Sequence, residues 1–257
     1  MASKSSTEPA HPAPHAVHQE WRTAQNSASY LLPKINSMSE QNPKLKLLDV
    51  GAGSGSISAT LAQLIPDGHI TAIDINPDIL PRARAVAEMV GVTKINFEQG
   101  DAHKLPYADE SFDITICHQI LTHSKESWNV LLEMMRVTKA GGIVGAREGD
   151  LDTECIWPEL PGLLSFHNFA ASMMKDRGTS TAGRQLLPWA LKTGVARENI
   201  TLSWHMVLQN ERIRERALKS KRMTEDGLNE IIKDYEEWSR REDASIAMMQ
   251  GEIIIHK

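Results

Sequence analysis

The chain has 257 residues, 28 lysines and arginines against 33 aspartates and glutamates, a formal charge of −5 and 41% hydrophobic side chains. A chain of this length buries about three quarters of its unfolded surface and needs no disulfide scaffold. Its two cysteines, Cys117 and Cys155, have neither CxxC nor zinc-pair spacing, which argues against a structural metal and fits a reducing compartment. No run approaches the roughly 20 apolar residues of a membrane span, and Met1 to His15 lacks a secretory apolar run. The mild acidity argues against nucleic acid as the main partner, so a cytoplasmic protein without a membrane span is expected.

Residues 1–15 are Ser, Pro, Ala and His with too little apolar surface to offset their ordering entropy, and are expected to form a disordered tail ahead of one domain over 16–257. From His18 to Leu32, Trp21, Ala24, Ala28 and Leu31 recur at helical spacing, and Pro33 is expected to stop that helix. After the polar stretch Asn36 to Lys44, apolar runs alternate with helical periodicities. The strands are Leu45 to Val50, Ile70 to Ile75, Ile95 to Glu98, Phe112 to Cys117 and, after a stop at Gly141-Gly142, Gly142 to Ala146. The helices between them are Ser56 to Ile65, Pro77 to Val90 and Trp128 to Val137. This alternation predicts an α/β fold with a doubly wound parallel sheet and right-handed crossovers, its core spanning 44–147.

Beyond that core, Leu160 to Met174 and Leu186 to Thr193 read as helices, and Ile200 to Val207 and Ile246 to Ile255 as strands. The charged insertion 209–243 between those strands places Leu228, Ile231, Ile232, Tyr235 and Trp238 on one helical face, a stripe suited to docking. Its first half carries Arg212, Arg214, Arg216, Lys219, Lys221 and Arg222 interleaved with Glu211 and Glu215, which reads as a solvated face.

The densest signal is Leu47-Leu48-Asp49-Val50-Gly51-Ala52-Gly53-Ser54-Gly55, between a strand and a helix. A glycine turn at the carboxyl edge of such a sheet lets backbone approach a small ligand closely. A dinucleotide fingerprint requires GxGxxG, whereas here its final position is Ser56. Asp49, directly ahead of the glycines, would repel a pyrophosphate and suits a ligand bearing an ammonium group. Asp74 ends the second strand, where a carboxylate can accept both ribose hydroxyls, and Asp101 follows the third, where it can accept from an adenine amino group.

With these segments the sequence resembles the class I S-adenosylmethionine-dependent methyltransferases, and most of all their UbiE-type branch, named for C-methyltransferases of quinone biosynthesis. The matching segments are LDVGAGSGSIS, ITAIDINPDIL, GDAHKLPYADESFDITICHQILTH and EMMRVTKAGGIVGAREGD, with HQEWRTAQNSASYLLP ahead of them. The resemblance implies a Rossmann-like seven-stranded sheet whose last strand, from Glu252 to His256, is antiparallel. It implies S-adenosylmethionine as cofactor and S-adenosylhomocysteine as product. Asp49, Gly51, Ala52, Gly53 and Gly55 would line the methionine part, Asp74 with Ile75 the ribose, Asp101 with Ala102 the adenine, and His118 with Gln119 the sulfonium. Tyr30, on an N-terminal helix folded over the cleft, completes the set. The implied activity is in-line methyl transfer, without a metal, to a small hydrophobic acceptor.

Candidate catalytic residues are His123, an imidazole neutral near pH 7, and Glu148 and Asp150, expected just past the fifth strand at the mouth of the cleft. A lid is expected from 16–40, 151–195 and 209–243. Two other readings share the sheet. One is a cofactor-binding protein without methyl transfer, such as a cyclase or a partner subunit. The other is an NAD-dependent oxidoreductase, which Asp49 and Ser56 disfavour. An arsenic methyltransferase would need more pocket cysteines than Cys117 and Cys155.

Overall fold

The computed structural model describes residues 20–208, 225–241, 243 and 245–257. The tail expected over 1–15 and the basic run from Arg212 to Arg222 lie outside them. The strands are β1 (Lys46–Val50), β2 (His69–Asp74), β3 (Ile95–Gln99), β4 (Phe112–His118), β5 (Thr138–Trp157), β6 (Ile200–Leu208) and β7 (Ser245–His256). They form one sheet in the order β3-β2-β1-β4-β5-β7-β6. Pairing is parallel from β3 to β5, and β7 runs antiparallel to both β5 and β6. The doubly wound sheet with an antiparallel last strand is therefore present. The order reverses direction between β1 and β4, and the crevice outside their carboxyl ends is where such sheets bind ligands.

The helices are α1 (Ala24–Ser27), α2 (Leu32–Gln41), α3 (Ser56–Leu64), α4 (Leu80–Met89), α5 (Ser127–Val137), α6 (Pro161–Arg177), α7 (Ala182–Lys192) and α8 (Glu225–Ser239). Ala24, Ala28, Leu31 and Ile35 pack with Ile57, Leu61, Leu80 and Ala83 on one sheet face. Leu131 and Met134 of α5 pack with Leu186 and Ala190 of α7 on the other. Both faces are covered, which is why β1 and β4 read as near-continuous apolar runs. No helix of the described residues is long and apolar enough to cross a membrane.

Three local expectations are corrected. Pro33 does not stop a helix but sits in the first turn of α2, where its missing N–H has no helical acceptor to lose, and the chain stays helical to Gln41. Gly141-Gly142 does not delimit the fifth strand: β5 starts at Thr138, and Gly141 supplies a left-handed turn in it at φ 78°. That strand also continues past Ala146 to Trp157, because β7 pairs with it over Ile143–Asp150 and again, past an irregularity, over Cys155–Trp157. The apolar stripe of the insertion does dock. Ile231 and Trp238 of α8 are buried, Asp234 accepts the Gly162 N–H at 2.6 Å, and the Trp238 indole donates to the Trp157 carbonyl at 3.0 Å.

Candidate active site

A cavity of about 340 Å³ opens at the carboxyl ends of β1 and β4. Its wall includes Asp49, Gly51, Ala52, Gly53, Asp74, Ile75, Asp101, Ala102, His118, Gln119 and His123, all singled out from the sequence. It also includes Arg22, His103, Ile120 and Ser124, which were not. Arg22 lies in a segment read for apolar periodicity and for the family likeness of HQEWRTAQNSASYLLP, neither of which singles it out; the available signal was its place beside Trp21.

The glycine turn is held from β2. Gly51 and Ala52 both donate to the Ile73 carbonyl, at 2.8 and 2.9 Å, and Gly53 donates to Asp74 Oδ2 at 2.9 Å. Asp74 Oδ1 accepts the Asn76 N–H at 2.9 Å, so one carboxylate ties two loops together. Gly51 has φ 76°, and a Cβ there would collide with the Ile120 side chain arriving from β4. Gly55 does not line the cavity. It starts α3 at φ 73° and lets that helix close on Phe97 and Ala83, both within 3 Å of where a Cβ would stand.

Asp49 is buried and accepts from Ser58 Oγ at 2.5 Å. Burial lifts its carboxyl from the ordinary 3.8 to about 6, against the Ser58 hydrogen bond and with the help of the Asp74 charge. The folded chain thus holds this proton more tightly than the unfolded chain. The stabilising contribution is full below pH 3.8 and is lost as pH rises through about 6. Asp49→Asn removes the ionisation, so its Tm is expected to exceed the parent's by about 5 °C or more at about pH 8, with the gap narrowing toward about pH 5. Thermal unfolding at both pH values checks this; a gap independent of pH contradicts it.

Asp101 accepts the His103 backbone N–H at 2.9 Å and faces the ring Nδ1 at 3.1 Å; those contacts, the backbone bond foremost, hold its carboxyl below the usual range. His103 Nε2 meets Ser124 Oγ at 2.8 Å, joining the loops after β3 and β4. Gln119 is left-handed at φ 55°, its N–H donates to the Arg147 carbonyl at 2.9 Å, and its Oε1 accepts from Arg22 Nη2 at 2.7 Å. Among the described residues, neither ring nitrogen of His118 has a hydrogen-bond partner, though both are buried. Burial, then Arg22 and Arg147, push this imidazole well below its ordinary range, so it stands neutral at the cavity wall.

Three expected residues lie elsewhere. Tyr30 packs against the core cluster under the N-terminal helices, and burial raises its phenol. Glu148 and Asp150 sit inside β5, fully buried, and not at a mouth. Asp150 is held by Arg184, whose Nε and Nη2 donate at 2.5 and 2.7 Å. Glu148 accepts three main-chain N–H groups from the segment after β4. Among the described residues no cluster of three or more His, Cys, Asp or Glu side chains could hold a metal ion.

Residues 41–194 match the model of a methyltransferase-domain family. An uncharacterised methyltransferase of Schizosaccharomyces pombe is 33% identical over 190 residues, which are 70% of this chain and 65% of that protein. This chain therefore spans just under two thirds of that relative. A crystal structure from Bacillus halodurans, assigned to the methyltransferases, superposes with a TM-score of 0.56 at 22% identity, covering 87% of this chain and 96% of the other. Phosphoethanolamine N-methyltransferase 2 of Haemonchus contortus, solved with S-adenosylmethionine, gives 0.54 at 14% identity over 88% of this chain and 52% of its own. These structural likenesses speak to the fold; the family model speaks to membership. The chain belongs to the class I S-adenosylmethionine-dependent methyltransferases.

Proposed function

We propose that the cavity at β1 and β4 takes S-adenosylmethionine and that the chain transfers its methyl group in line to a small, largely apolar metabolite. The observation that carries this reading is the His118 imidazole, whose two buried nitrogens have no hydrogen-bond partner among the described residues, on the wall of a cavity that also holds the glycine turn and three carboxylates. Buried polar atoms require partners, so a ligand in this cavity is expected to supply them.

The residues fit the cofactor. Asp49 and Arg22 bring opposite charges to one cavity, the complement of an amino-acid end, while Asp74 and Asp101 offer acceptors for hydroxyl and amino donors. The same three carboxylates would repel a diphosphate. When bound, this cofactor supplies a methyl group activated by a sulfonium. His118 is assigned to receive a hydrogen bond from the reacting group of the acceptor, for which its neutral state suits it. Ile57, Ile75, Ile120 and Val130 give the wall its apolar stretches, among Ser54, Ser56 and Ser124. Holding two reactants in line supplies roughly 7 to 11 kcal/mol of barrier reduction, so the protein's main work is positioning. Residues 20–40, 151–195 and 225–241 are proposed to close over the acceptor; the rest of the expected lid lies outside the described residues. The UbiE-type likeness of the motif segments supports a small-metabolite acceptor.

Asp74→Asn tests the cofactor assignment. It keeps the side-chain shape but removes the anionic acceptor that meets the Gly53 and Asn76 N–H groups. Calorimetry with S-adenosylhomocysteine is expected to show about a 10- to 100-fold loss of affinity, with Tm lowered by only a few degrees. Unchanged affinity removes the ribose assignment. Binding without methyl transfer from labelled cofactor to any component of a metabolite extract would favour the non-catalytic reading.

A further inference from the structure

We infer that Glu148 is a positioning residue, which holds the cavity wall after β4 in place through three consecutive main-chain hydrogen bonds while placing no atom of its own on that wall. Oε1 accepts the N–H groups of Ile120 and Leu121 at 2.9 and 2.8 Å, and Oε2 accepts that of Thr122 at 3.2 Å. These residues open the 3₁₀ turn Leu121–His123, which has no side-chain cap of its own. The leading N–H groups of such a turn have no partner within it. A carboxylate projecting from the neighbouring strand satisfies all three at once.

The same segment carries Gln119, Ile120 and His123 to the cavity. It has other anchors as well, among them the Gln119 N–H on the Arg147 carbonyl at 2.9 Å and the Ser127 hydroxyl on the Leu121 carbonyl at 2.7 Å. Gln119 is held in the left-handed region, Ile120 presses on the bare Gly51, and the Thr122 carbonyl accepts the Thr179 N–H at 3.0 Å. Thr122 Oγ1 donates to the Thr179 carbonyl at 2.6 Å. Glu148 therefore sits between strand and wall, and the wall meets the glycine turn through Ile120.

Ionisation matters because donors approach both carboxyl oxygens. The carboxylate accepts all three bonds. The protonated acid carries a hydrogen on one oxygen, and on Oε2, which makes the longer bond, that hydrogen opposes the Thr122 N–H. Burial pushes the carboxyl up to about 7, with the three N–H groups and Arg22 working against it. Among the described residues, the other titratable groups facing it include the Cys117 thiol on β4 and the Tyr30 phenol, both raised by burial and uncharged at neutral pH. The wall is thus held more firmly as pH rises through about 7 and loosens as it falls.

Glu148→Gln separates positioning from general stability. Because burial disfavours the ionised carboxyl, the neutral amide is expected to leave Tm unchanged or raise it. Amide exchange in the segment 119–123, followed by mass spectrometry at about pH 8, is expected to accelerate about tenfold, and S-adenosylhomocysteine affinity to fall about tenfold. In the parent, protection of 120–122, corrected for intrinsic exchange chemistry, is expected to rise through about pH 7, and in E148Q to be flat. Unchanged exchange in E148Q overturns the inference, as does acceleration spread over all strands with a fall in Tm. Should E148Q not fold, the parent's pH profile decides alone: a rise supports the inference and a flat profile overturns it. The exchange readout needs no cofactor, so a parent that fails to bind S-adenosylhomocysteine but shows that rise sinks the functional reading and leaves the role of Glu148 standing.

Discussion

Replacing Arg147 with alanine is expected to cost about 3 to 5 kcal/mol of folding stability. Four neighbouring strands place His118, Arg147, Glu252 and Ser203 opposite one another in register, a polar row across the sheet face beneath α1. Arg147 is only 1% exposed; its Nε donates to Gln250 Oε1 at 2.6 Å and its Nη1 to the Asn26 carbonyl at 2.8 Å. Nη1 also lies 3.6 Å from Glu252 Oε1, an oxygen that no described residue hydrogen-bonds. Alanine would leave that buried carboxylate without its cation and two acceptors without donors. Removing both charges is a different matter, since well-packed apolar replacements of a buried pair are often neutral. The double variant Arg147→Met with Glu252→Leu is therefore expected to recover most of the loss. Urea unfolding of the three proteins measures this. A loss below about 1 kcal/mol in the alanine variant would show that the row is not an electrostatic anchor for the N-terminal segment.

Gly51→Ala is expected to disable the cavity. A left-handed alanine costs about 1 to 2 kcal/mol. The new methyl also meets Ile120, and overpacking of that kind costs about 1 to 3 kcal/mol more. The turn or the β4 wall must shift, and either movement displaces Gly53 and the donors fixed on Ile73 and Asp74. S-adenosylhomocysteine affinity is expected to fall at least about 30-fold, with a lower Tm. Gly91→Ala is the control: that residue is left-handed too, at φ 75°, but nothing lies within 4 Å of the added methyl. It should lose stability from backbone strain alone and keep its affinity. Equal affinities in the two variants would mean that the contact between Gly51 and Ile120 does not shape the site.

The sheet was legible because strands covered on both faces read as apolar runs, and because the helices between them keep their period. The carboxyl-edge ligand site was legible for the same reason: Asp49, the glycines, Asp74 and Asp101 lie at or just past the ends of strands that the pattern could place. What escaped notice were buried charges. Glu148, Gly149 and Asp150 do not read as strand interior, yet β5 runs through them, since β7 supplies the ladder and each carboxylate finds local donors. Two acids that looked like mouth-lining catalysts are thereby spent on the turn after β4 and on Arg184. Proline misled in the opposite sense, because Pro33 opens α2 where a break seemed due. Arg22 was invisible to a search for apolar period and became visible only through its bond to Gln119. The stripe on α8, by contrast, could be read as docking surface, and α6 is what it docks on.

The most direct measurement is a calorimetric titration of the parent and of Asp49→Asn with S-adenosylhomocysteine and, separately, with NAD. The parent should bind the amino-bearing nucleoside at a one-to-one ratio and ignore the dinucleotide, and the more stable Asp49→Asn should bind the nucleoside more weakly. Parent protein that takes up NAD in preference, or an Asp49→Asn variant whose nucleoside affinity is undiminished, would contradict the assignment of that buried carboxylate as the group that selects the ligand.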